Sequence, residues 1–405
     1  MKILILTQYF PPETGAPQNR LFELALKMKD LGAEVSILTG FPNYPKYKVF
    51  EDYKGRWYQH EVLAELSVHR SYIFAAPGKS MAKRLLNYAS FTLSALWAGL
   101  FKIEKPDLII CESPPLFLGW TAVWLKRFHG ARLVFNVSDL WPESAQKLGL
   151  VKNKQLLRLS TWLEEWIYQN ADLISGQTQG IVANIQQRCP EKPLYWLKNG
   201  VDTIEFSGRI TGRNWRHENE FSEQDLIFYF GGLIGYAQGL DCILLAAQHL
   251  QDLPNVKFVI LGEGPEKERL RQLKTQLKLE NVHFYPGVTK SEMADVIQSI
   301  DVGIVPLKKL DLFLGAIPSK IFEILCLKKP LLLGIEGEAK TLFIEEGKAG
   351  WAFEPEDHLA LAQQVRKIVA SPKILVEKGE NGYRYVREHF DRNNIAQAFW
   401  QFLQQ

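Results

Sequence analysis

The feature that most constrains the fold is an alternation, in both halves of the chain, of short apolar runs with stretches of helical periodicity. Strands of a parallel sheet are buried on both faces and joined by helices, so they appear as short continuous apolar runs. The alternation therefore predicts two doubly wound α/β sheets. The predicted strands of the first half are Ile3–Leu6, Glu34–Leu38, Val68–Ile73, Leu108–Cys111, Arg132–Val137 and Leu173–Gly176. Those of the second half are Leu226–Phe230, Lys257–Leu261, Val282–Tyr285, Val302–Val305 and Leu331–Gly334.

Chain length and periodicity indicate where the two sheets separate. A chain of 405 residues is too long for one typical core. Periodicity fades between Asn199 and about Asp225, so we predict a basic Rossmann-like domain over 1–200 and a second Rossmann-like domain over 201–388. A helix within 389–405 is expected to pack back on the first domain. Helices are predicted over Asn19–Leu31, Leu240–Leu250, Lys267–Leu277, Ser291–Ser299, Ser319–Cys326 and Asn393–Leu403.

Composition is that of an ordinary globular protein, with 46% hydrophobic and 23% charged residues. Its four cysteines show no paired spacing, which argues against a disulfide framework or a zinc site and favours a reducing compartment. The apolar run in Met1–Thr7 is too short for an export signal and is expected to form the first strand. We therefore expect a cytoplasmic protein.

The charge is distributed unevenly along the chain. Residues 1–200 carry 24 Lys and Arg against 17 Asp and Glu, a net charge of +7, whereas residues 201–405 carry 24 against 28, a net charge of −4. A basic first half suggests an anionic partner such as a lipid surface, a lipid-linked phosphate or nucleic acid. No signature of a nucleic-acid-binding fold supports the last of these.

The stretch 79–101 has a composition of its own. Lys79, Lys83 and Arg84 precede 17 residues, 85–101, that carry no charge. A membrane span needs ~20 apolar residues, and this run contains Asn87 and other polar side chains, so we predict no span. A basic collar before a face of Leu, Phe and Trp suits a helix at the inner membrane surface. Burial between the sheet and a neighbouring helix is the alternative.

The segment Gly315–Cys326 follows a predicted strand and opens a predicted helix. Pro318 suits the first turn, and the Ser319 hydroxyl can cap backbone N–H groups. A helix start with a hydroxyl and Lys320 is an anion site, and Glu323 lies one turn later on the same face. A diphosphate at the helix start and ribose hydroxyls one turn deeper would fit this arrangement. The segment therefore predicts a nucleotide or nucleotide-sugar site.

Further donor-binding candidates follow other strands. Gly15 comes after two prolines, so its backbone can approach a ligand phosphate, although a simple turn is the alternative. Gly235, Tyr236 and Gln238 belong to a glycine-rich loop between a strand and a helix, where phosphates are commonly cradled. The remaining candidates at strand ends are Gly262, Gly264, Gly287 and Val288, of which the first two could equally form a tight turn below the nucleotide.

Asp139 is the candidate for acceptor chemistry. It follows a strand that should face the cleft expected between the two domains, where a carboxylate within ~3 Å of an acceptor hydroxyl could orient or deprotonate it. Capping of the following helix is the alternative. Trp141 could stack on an acceptor sugar or fill the core.

In their order and spacing these motifs resemble glycosyltransferase family 4, which has the two-domain GT-B fold, along nearly the whole chain. The variants Asp139-Leu140-Trp141-Pro142-Glu143 and Gln238-Gly239-Leu240 are similar to enzymes that add fucose-type or N-acetylated amino sugars in O-antigen, capsule and colanic acid synthesis. The other matching pieces are Tyr9-Phe10-Pro11-Pro12-Glu13-Thr14-Gly15, Asn199-Gly200-Val201-Asp202, Leu261-Gly262-Glu263-Gly264-Pro265 and Pro318-Ser319-Lys320 with Glu323.

The resemblance implies a retaining, hexosyltransferase-type enzyme that needs no metal or other cofactor. It would move an N-acetylated amino or 6-deoxy sugar from a nucleotide diphosphate, with UDP favoured, to a lipid-linked saccharide in bacterial surface polysaccharide synthesis. Lys320 would stabilise the leaving group, Glu323 would hold the ribose, and backbone groups around Val288 would bind the base. We expect peripheral attachment to the inner face of the membrane through residues 79–101.

The chain departs from the family pattern at two places. Many members carry two glutamates eight positions apart. Here position 323 is Glu but position 315 is Gly, so the backbone amides of Gly315–Ile317 are expected to take over the role of the missing carboxylate. Many members also carry Arg and Lys in the glycine-rich loop, where this chain has Gly232 and Gln238. Lys320 is then the principal cation at the diphosphate. The missing charges motivate one alternative, an inactive donor-binding scaffold.

A nucleotide-sugar 2-epimerase on the same fold is the other alternative. Such an enzyme would carry several acid and base residues at its site, whereas Asp139 is the one candidate that the sequence offers.

Overall fold

The computed structural model describes residues 1–13, 15–44, 47–77, 81–147 and 153–405. The chain divides into two compact units. The N-terminal unit comprises Met1–Asn199 together with Ile395–Gln405, and the C-terminal unit comprises Gly200–Asn394.

The N-terminal unit is built on one sheet. Its strands are β1 (Lys2–Leu6), β2 (Glu34–Gly40), β3 (Tyr58–Leu63), β4 (Leu66–Ser71), β5 (Leu108–Ser113), β6 (Arg132–Val137), β7 (Leu173–Gly176) and β8 (Leu194–Trp196). They lie in the order β3-β4-β2-β1-β5-β6-β7-β8, and every described neighbouring pair except β3–β4 is parallel. The order reverses between β1 and β5, which is the topological switch point of this sheet.

Helices of the N-terminal unit cover both faces of this sheet. They are α1 (Ala16–Asp30), α2 (Met81–Phe101), α3 (Phe117–His129), α4 (Glu143–Lys147), α5 (Lys154–Asn170) and α6 (Gln179–Arg188), with a short 3₁₀ turn at Glu51–Tyr53. Side chains of a strand alternate between faces. Accordingly Leu4 of β1 packs in one core with Phe91 of α2, whereas Ile5 packs in a second core with Leu21 of α1.

The C-terminal unit contains a second sheet. Its strands are β9 (Leu226–Gly231), β10 (Val256–Leu261), β11 (Val282–Tyr285), β12 (Val302–Pro306), β13 (Leu331–Gly334) and β14 (Gly350–Ala352). They lie in the order β11-β10-β9-β12-β13-β14, and all described pairs are parallel. The order reverses between β9 and β12, so the switch point lies between these two strands.

The helices of the C-terminal unit surround this sheet, whose core includes Phe228, Phe258 and Ile304. They are α7 (Thr203–Ser207), α8 (Trp215–Glu218), α9 (Asp241–Gln248), α10 (Lys267–Gln276), α11 (Met293–Gln298), α12 (Lys320–Cys326), α13 (Glu338–Lys340), α14 (His358–Ala370) and α15 (Ile374–His389). Shorter turns occupy Tyr236–Gln238, Asp311–Phe313 and Thr341–Glu346. The last helix, α16 (Arg392–Leu403), begins in this unit, and its Phe399 packs in the same core of the N-terminal unit as Ile5.

The predicted fold class is confirmed, and each predicted strand is present. Three strands were missed: β3, β8 and β14. The strand β3 is an antiparallel partner of β4 across a turn at Ala64 and Glu65, and its residues are half-buried or exposed, so it has no continuous apolar run. The other two are only three residues long. Short or solvated strands leave little apolar signal in a sequence.

Candidate functional site

The loops that follow β9 and β12 form the candidate site in the C-terminal unit. Doubly wound sheets bind ligands beyond the carboxyl ends of the strands at the switch point. The loop after β9 covers residues 232–239, and the loop after β12 covers residues 307–319 and leads into α12. The sheet order therefore brings the glycine-rich loop and the predicted nucleotide segment to one edge.

Lys320 joins these two loops. Its Nζ lies 3.8 Å from the ring centroid of Phe230, the penultimate residue of β9. A Cβ built at Gly232 would lie 3.3 Å from that ammonium, and Gly232 has a φ of +125°, so glycine suits the position on both counts. Burial lowers the pKa of Lys320 to about 7, against the opposing effect of Glu323. A bound anion would favour the charged ammonium.

The predicted cap at Ser319 is wrong. The Ser319 backbone is already helical, with φ −59° and ψ −27°, and its side chain makes no capping hydrogen bond. A capping side chain needs an extended backbone to turn back on the first N–H groups. Glu323 lies in the first turn of α12, close enough to raise the pKa of Tyr229, which burial raises most.

Sequence reasoning missed a second cation, Lys308. It follows β12, its backbone N–H donates to the Ala237 carbonyl at 2.9 Å, and its Nζ lies 3.3 Å from the ring centroid of Tyr236. Lys308 thus lies against the glycine-rich loop and is a further cation at this edge of the sheet. A lysine directly after β12, the strand that precedes the nucleotide segment, was the sequence signal that could have identified Lys308.

The glycine-rich loop turns tightly. Gly239 adopts the left-handed conformation, with φ +58°. The Oε1 atom of Gln238 is buried and accepts no hydrogen bond from a described residue, and it would lie 3.0 Å from a Cβ at Gly235. Tyr236 is exposed. A buried amide oxygen without a partner usually marks a place for a water or a ligand donor.

Gly262 and Gly264 are required by backbone packing. A Cβ at Gly262 would lie 1.9 Å from the Gly232 carbonyl oxygen, and one at Gly264 would lie 2.2 Å from the Ile234 carbonyl oxygen. The two glycines therefore let the loop after β10 support the glycine-rich loop from below, as in the tight-turn alternative. Buried Lys267 ties the loops after β10 and β11 together, donating to the carbonyl oxygens of Gly262 at 2.8 Å and Tyr285 at 3.2 Å.

The remaining candidates of this unit lie in its loops. Gly287 is exposed and Val288 half-buried, just after β11. Gly315 and Ala316 lie in the loop before α12, where the Ala316 N–H donates to the Phe313 carbonyl. The hydrogen bond between Ala316 and Phe313 closes a turn in the loop that leads into α12.

Gly15, Asp139 and Trp141 belong to the N-terminal unit. Gly15 is extended, and a Cβ there would lie 2.4 Å from Oε1 of the buried Gln18. The Asp139 carboxylate accepts a hydrogen bond from Ser144 Oγ at 2.5 Å, so it anchors the start of α4. Desolvation of the carboxyl raises the pKa of Asp139, although the residue as a whole remains exposed. Trp141 lies 6.1 Å from the ring centroid of Phe117, on the edge of the core.

A buried polar network at the switch point of the N-terminal sheet was also missed. Arg20 of α1 donates to Glu112 at the end of β5, at 2.5 Å, and to Ser138 after β6, at 2.8 Å. The other Glu112 oxygen accepts from Asn136 at 2.6 Å. No local spacing in a sequence signals such a pairing, because its members are far apart along the chain.

Comparison with known proteins identifies the family. A model described as "Glycosyl transferase 4-like domain" matches residues 15–194, and one described as "Glycosyl transferases group 1" matches residues 212–385. A protein of Salmonella typhimurium named for colanic acid biosynthesis, the glycosyltransferase WcaL, is 32% identical over 359 residues, covering 83% of each chain. The chain belongs to the group 1 glycosyltransferases. A second protein named for colanic acid biosynthesis, WcaI of Escherichia coli, is 26% identical over 409 residues, 98% of each chain.

A solved structure shows that the glycosyltransferase has the GT-B fold. Anabaena HepE, crystallised in complex with UDP and glucose, superposes with a TM-score of 0.70 at 18% identity, covering 100% of this chain and 99% of that one. The expected fold and the expected transferase class are both confirmed. The names of these relatives state no fucose-type or amino sugar, so the specificity stays a prediction.

Within the described part of the glycosyltransferase, no helix has both the length and the hydropathy needed to cross a bilayer. The helix α2 covers most of the predicted surface segment, whereas Lys79 lies outside the described residues.

Proposed function

We propose that this glycosyltransferase binds a UDP-sugar at the switch point of its C-terminal unit and transfers the sugar to a lipid-linked saccharide during surface polysaccharide synthesis. The observation that carries the proposal is the Lys320 ammonium, held against the glycine-rich loop at that edge. The names of the colanic acid relatives support a polysaccharide product. The UDP and glucose in the HepE complex support the donor class.

The proposed chemistry is stabilisation of the departing diphosphate. As the bond from the anomeric carbon to the phosphate oxygen breaks, Lys320 and Lys308 offset the charge that develops on that oxygen. Hydrogen bonds from Ser319 and from the backbone amides of Gly235, Gly315 and Ala316 add to this stabilisation. These groups are all part of the protein, so we propose that transfer requires no metal.

Other contacts would orient the donor. Glu323 holds the ribose hydroxyls, and backbone groups at Gly287 and Val288 bind the base. Tyr236 and Gln238 border the phosphates, while Gly262 and Gly264 support the loop below them. For Gly15 we propose a backbone contact with a donor phosphate, as the family resemblance implies.

Retention of the anomeric configuration follows if the acceptor attacks on the face that the phosphate leaves. A bond then forms from the acceptor oxygen to the anomeric carbon, and the acceptor proton passes to the departing phosphate oxygen. Asp139 would orient the acceptor hydroxyl, and Trp141 would pack against the acceptor. We propose an N-acetylated amino or 6-deoxy sugar as the group transferred.

The test is transfer of radiolabelled sugar from a set of UDP-, GDP- and ADP-sugars to a lipid-linked saccharide extracted from polysaccharide-producing cells. We expect a labelled lipid product with a UDP-sugar, and NMR of its new linkage should show the configuration of the donor. An inverted linkage would refute retention. Epimerised donor in the absence of acceptor would favour an epimerase, and donor binding without product would favour a scaffold.

We also propose that the N-terminal unit lies on the inner face of the membrane. Three neighbouring helices expose apolar side chains on the face directed away from the sheet. The helices α2 and α3 approach closely at Gly99, where a Cβ would clash with Leu125, and the Thr121 hydroxyl donates to the Thr92 carbonyl at 2.8 Å. The exposed residues, 44–68% accessible, form what we call the aromatic face: Leu86, Leu93, Phe101, Trp124, Phe128, Leu159 and Trp162.

Basic side chains lie among the aromatic ones of the aromatic face, although α5 also carries the exposed Glu165. The Arg127 guanidinium lies 5.5 Å from the Trp124 ring of α3 and 5.9 Å from the Trp166 ring of α5. Trp166 in turn stacks on Trp162. Neither α2 nor α3 contains an acidic residue. Exposed aromatic side chains among basic ones are typical of proteins that rest on anionic lipid.

Sedimentation with vesicles tests this surface. We expect binding to vesicles that contain phosphatidylglycerol and weak binding to pure phosphatidylcholine. Replacing Trp124, Phe128 and Trp162 by serine should abolish binding, whereas serine at Leu359 and Val376, which are exposed in the C-terminal unit, should not. Equal loss with the control variant, or full binding by the aromatic-face variant, would contradict the assignment.

A further inference from the structure

Four tyrosines gather beyond the ends of β1 and β2. The ring centroids of Tyr9 and Tyr44 are 5.7 Å apart, and those of Tyr44 and Tyr47 are 6.3 Å apart, both edge-to-face. Tyr88 of α2 is close enough to raise the pKa of Tyr9, which burial raises most. All four rings are half-buried. We call them the tyrosine cluster.

A buried carboxyl group borders this cluster. Glu13 is 3% exposed, and its Oε1 accepts hydrogen bonds from the backbone N–H groups of Asn43, at 2.6 Å, and Tyr44, at 2.8 Å. The carboxyl is thereby fixed beside Tyr44.

The charge state of Glu13 depends on its surroundings. Burial raises its pKa to about 7, while the amides of Asn43 and Tyr44 and the positive charge of Arg70 oppose the rise. Arg70 is itself engaged by Glu61 and by the Pro11 carbonyl, each at 2.6 Å. Near neutral pH the carboxyl can therefore either donate or accept a hydrogen bond.

The hydroxyl groups of the tyrosine cluster have no hydrogen-bond partner within the described part of the chain. Among the described residues, none of the four phenol hydroxyls makes a hydrogen bond, although the buried Tyr168 hydroxyl donates to Glu164 at 2.8 Å. Buried Oδ1 of Asn43 and Nε of Arg84 also lack hydrogen-bond partners there. Buried polar groups are normally paired, so the unpaired Oδ1 of Asn43 and Nε of Arg84 beside these aromatic rings point to a ligand.

We infer that the tyrosine cluster and Glu13 form a saccharide subsite, which holds an uncharged sugar ring of the acceptor. A sugar ring offers an apolar face to the tyrosine rings and hydroxyls to Glu13 and the phenols. The Glu13 carboxylate disfavours an acidic sugar, and Arg70 is paired with Glu61 through Nε, although its buried Nη1 has no partner among the described residues. The inference rests on the proposed function for the existence of a saccharide acceptor.

The subsite is separate from Asp139. The cluster follows β1 and β2, whereas Asp139 follows β6, and the sheet order is β2-β1-β5-β6. Tyr9 and Glu13 follow β1, two strand spacings or about 9 Å from β6, whereas Tyr44 and Tyr47 follow β2, three spacings or about 14 Å away. The ring bound by the tyrosine cluster is therefore a unit of the acceptor other than the one that Asp139 orients.

The test compares Tyr44→Ala and Tyr47→Ala with Tyr383→Ala, a control in the C-terminal unit, after thermal melting shows that each is folded. We expect acceptor KM to rise about tenfold in the first two, with donor KM and kcat unchanged. Tyr44→Phe and Tyr47→Phe, which keep the rings, should give a smaller rise. An unchanged acceptor KM, or an equal rise in donor KM, would overturn the inference.

A second measurement separates this inference from the proposed function. Binding of the delipidated acceptor saccharide, followed by saturation-transfer NMR, needs no donor and no turnover. Wild-type protein should bind it, and the Tyr44→Ala variant should bind it about ten times more weakly, even if no UDP-sugar supports transfer. In Glu13→Gln the affinity should no longer vary between pH 6 and 8. Equal affinity of wild type and Tyr44→Ala, tighter binding of an acidic saccharide, or pH dependence that survives Glu13→Gln would each count against the subsite.

Discussion

Binding of a UDP-sugar should draw protons from the solvent through Lys320. Burial sets the pKa of the free ammonium to about 7, and a bound diphosphate would raise it by supplying the opposite charge. At pH 8 roughly 0.9 of the side chain is then neutral before binding, against roughly half at pH 7 and roughly 0.1 at pH 6. The number of protons taken up per UDP-sugar bound should therefore equal the fraction of Lys320 that is neutral before binding at each pH.

Calorimetry in two buffers of different ionisation enthalpy measures this uptake directly. A UDP-sugar is preferable to UDP, because its diphosphate has no proton that titrates near neutrality. Lys320→Met should abolish the uptake. Lys309→Met should keep it, since Lys309 lies in the same loop but is paired with Glu354. Uptake that is absent at pH 8, or that survives in Lys320→Met, would refute the reasoning.

Four further outcomes follow from the site. Lys320→Ala should slow turnover by about 2–4 kcal/mol of transition-state stabilisation, and unchanged turnover at saturating donor would remove its role. Glu323→Ala should chiefly raise donor KM, and an unaltered donor affinity would argue against a ribose contact. Glu13→Gln should stabilise the protein by up to about 3 kcal/mol at pH 8 and hardly at all at pH 4.5, because the buried wild-type carboxyl ionises as the pH rises through its raised pKa of about 7. Urea unfolding at both pH values measures the difference in stability, and an equal effect at the two pH values would contradict this prediction. EDTA should leave the initial rate of transfer unchanged, and a rate that falls and is restored by Mg²⁺ would show a metal requirement.

The sequence was sufficient to predict the two sheets, because strands buried on both faces must be apolar along their whole length. The nucleotide segment was predictable for a related reason: a lysine at the start of a helix after a buried strand falls at the ligand-binding edge of the sheet. The exposed strand β3 lacks that apolar signal. The prediction of a helix cap at Ser319 was wrong because residue type alone does not fix the backbone angles on which capping depends.

Contacts between distant parts of the chain were beyond sequence reasoning. Lys308 against Tyr236 and Glu13 beside Tyr44 each join loops that follow different strands, and the pairing of Arg20 with Glu112 joins α1 to β5. Which loops meet is decided by the strand order, and the strand order depends on packing rather than on local spacing. The aromatic face was only partly foreseen, since Trp124 and Trp162 lie on helices that pack beside α2.

Thermal melting with nucleotides tests the central claim most directly, that the edge formed by the loops after β9 and β12 is the donor site. UDP at a hundred times its Kd should stabilise the wild-type protein by about 2.7 kcal/mol, since it binds the folded state alone. GDP and ADP at the same concentration should stabilise it less, and Lys320→Met should lose most of the effect of UDP. Equal stabilisation of wild type and Lys320→Met by UDP, or a preference for GDP, would contradict the account.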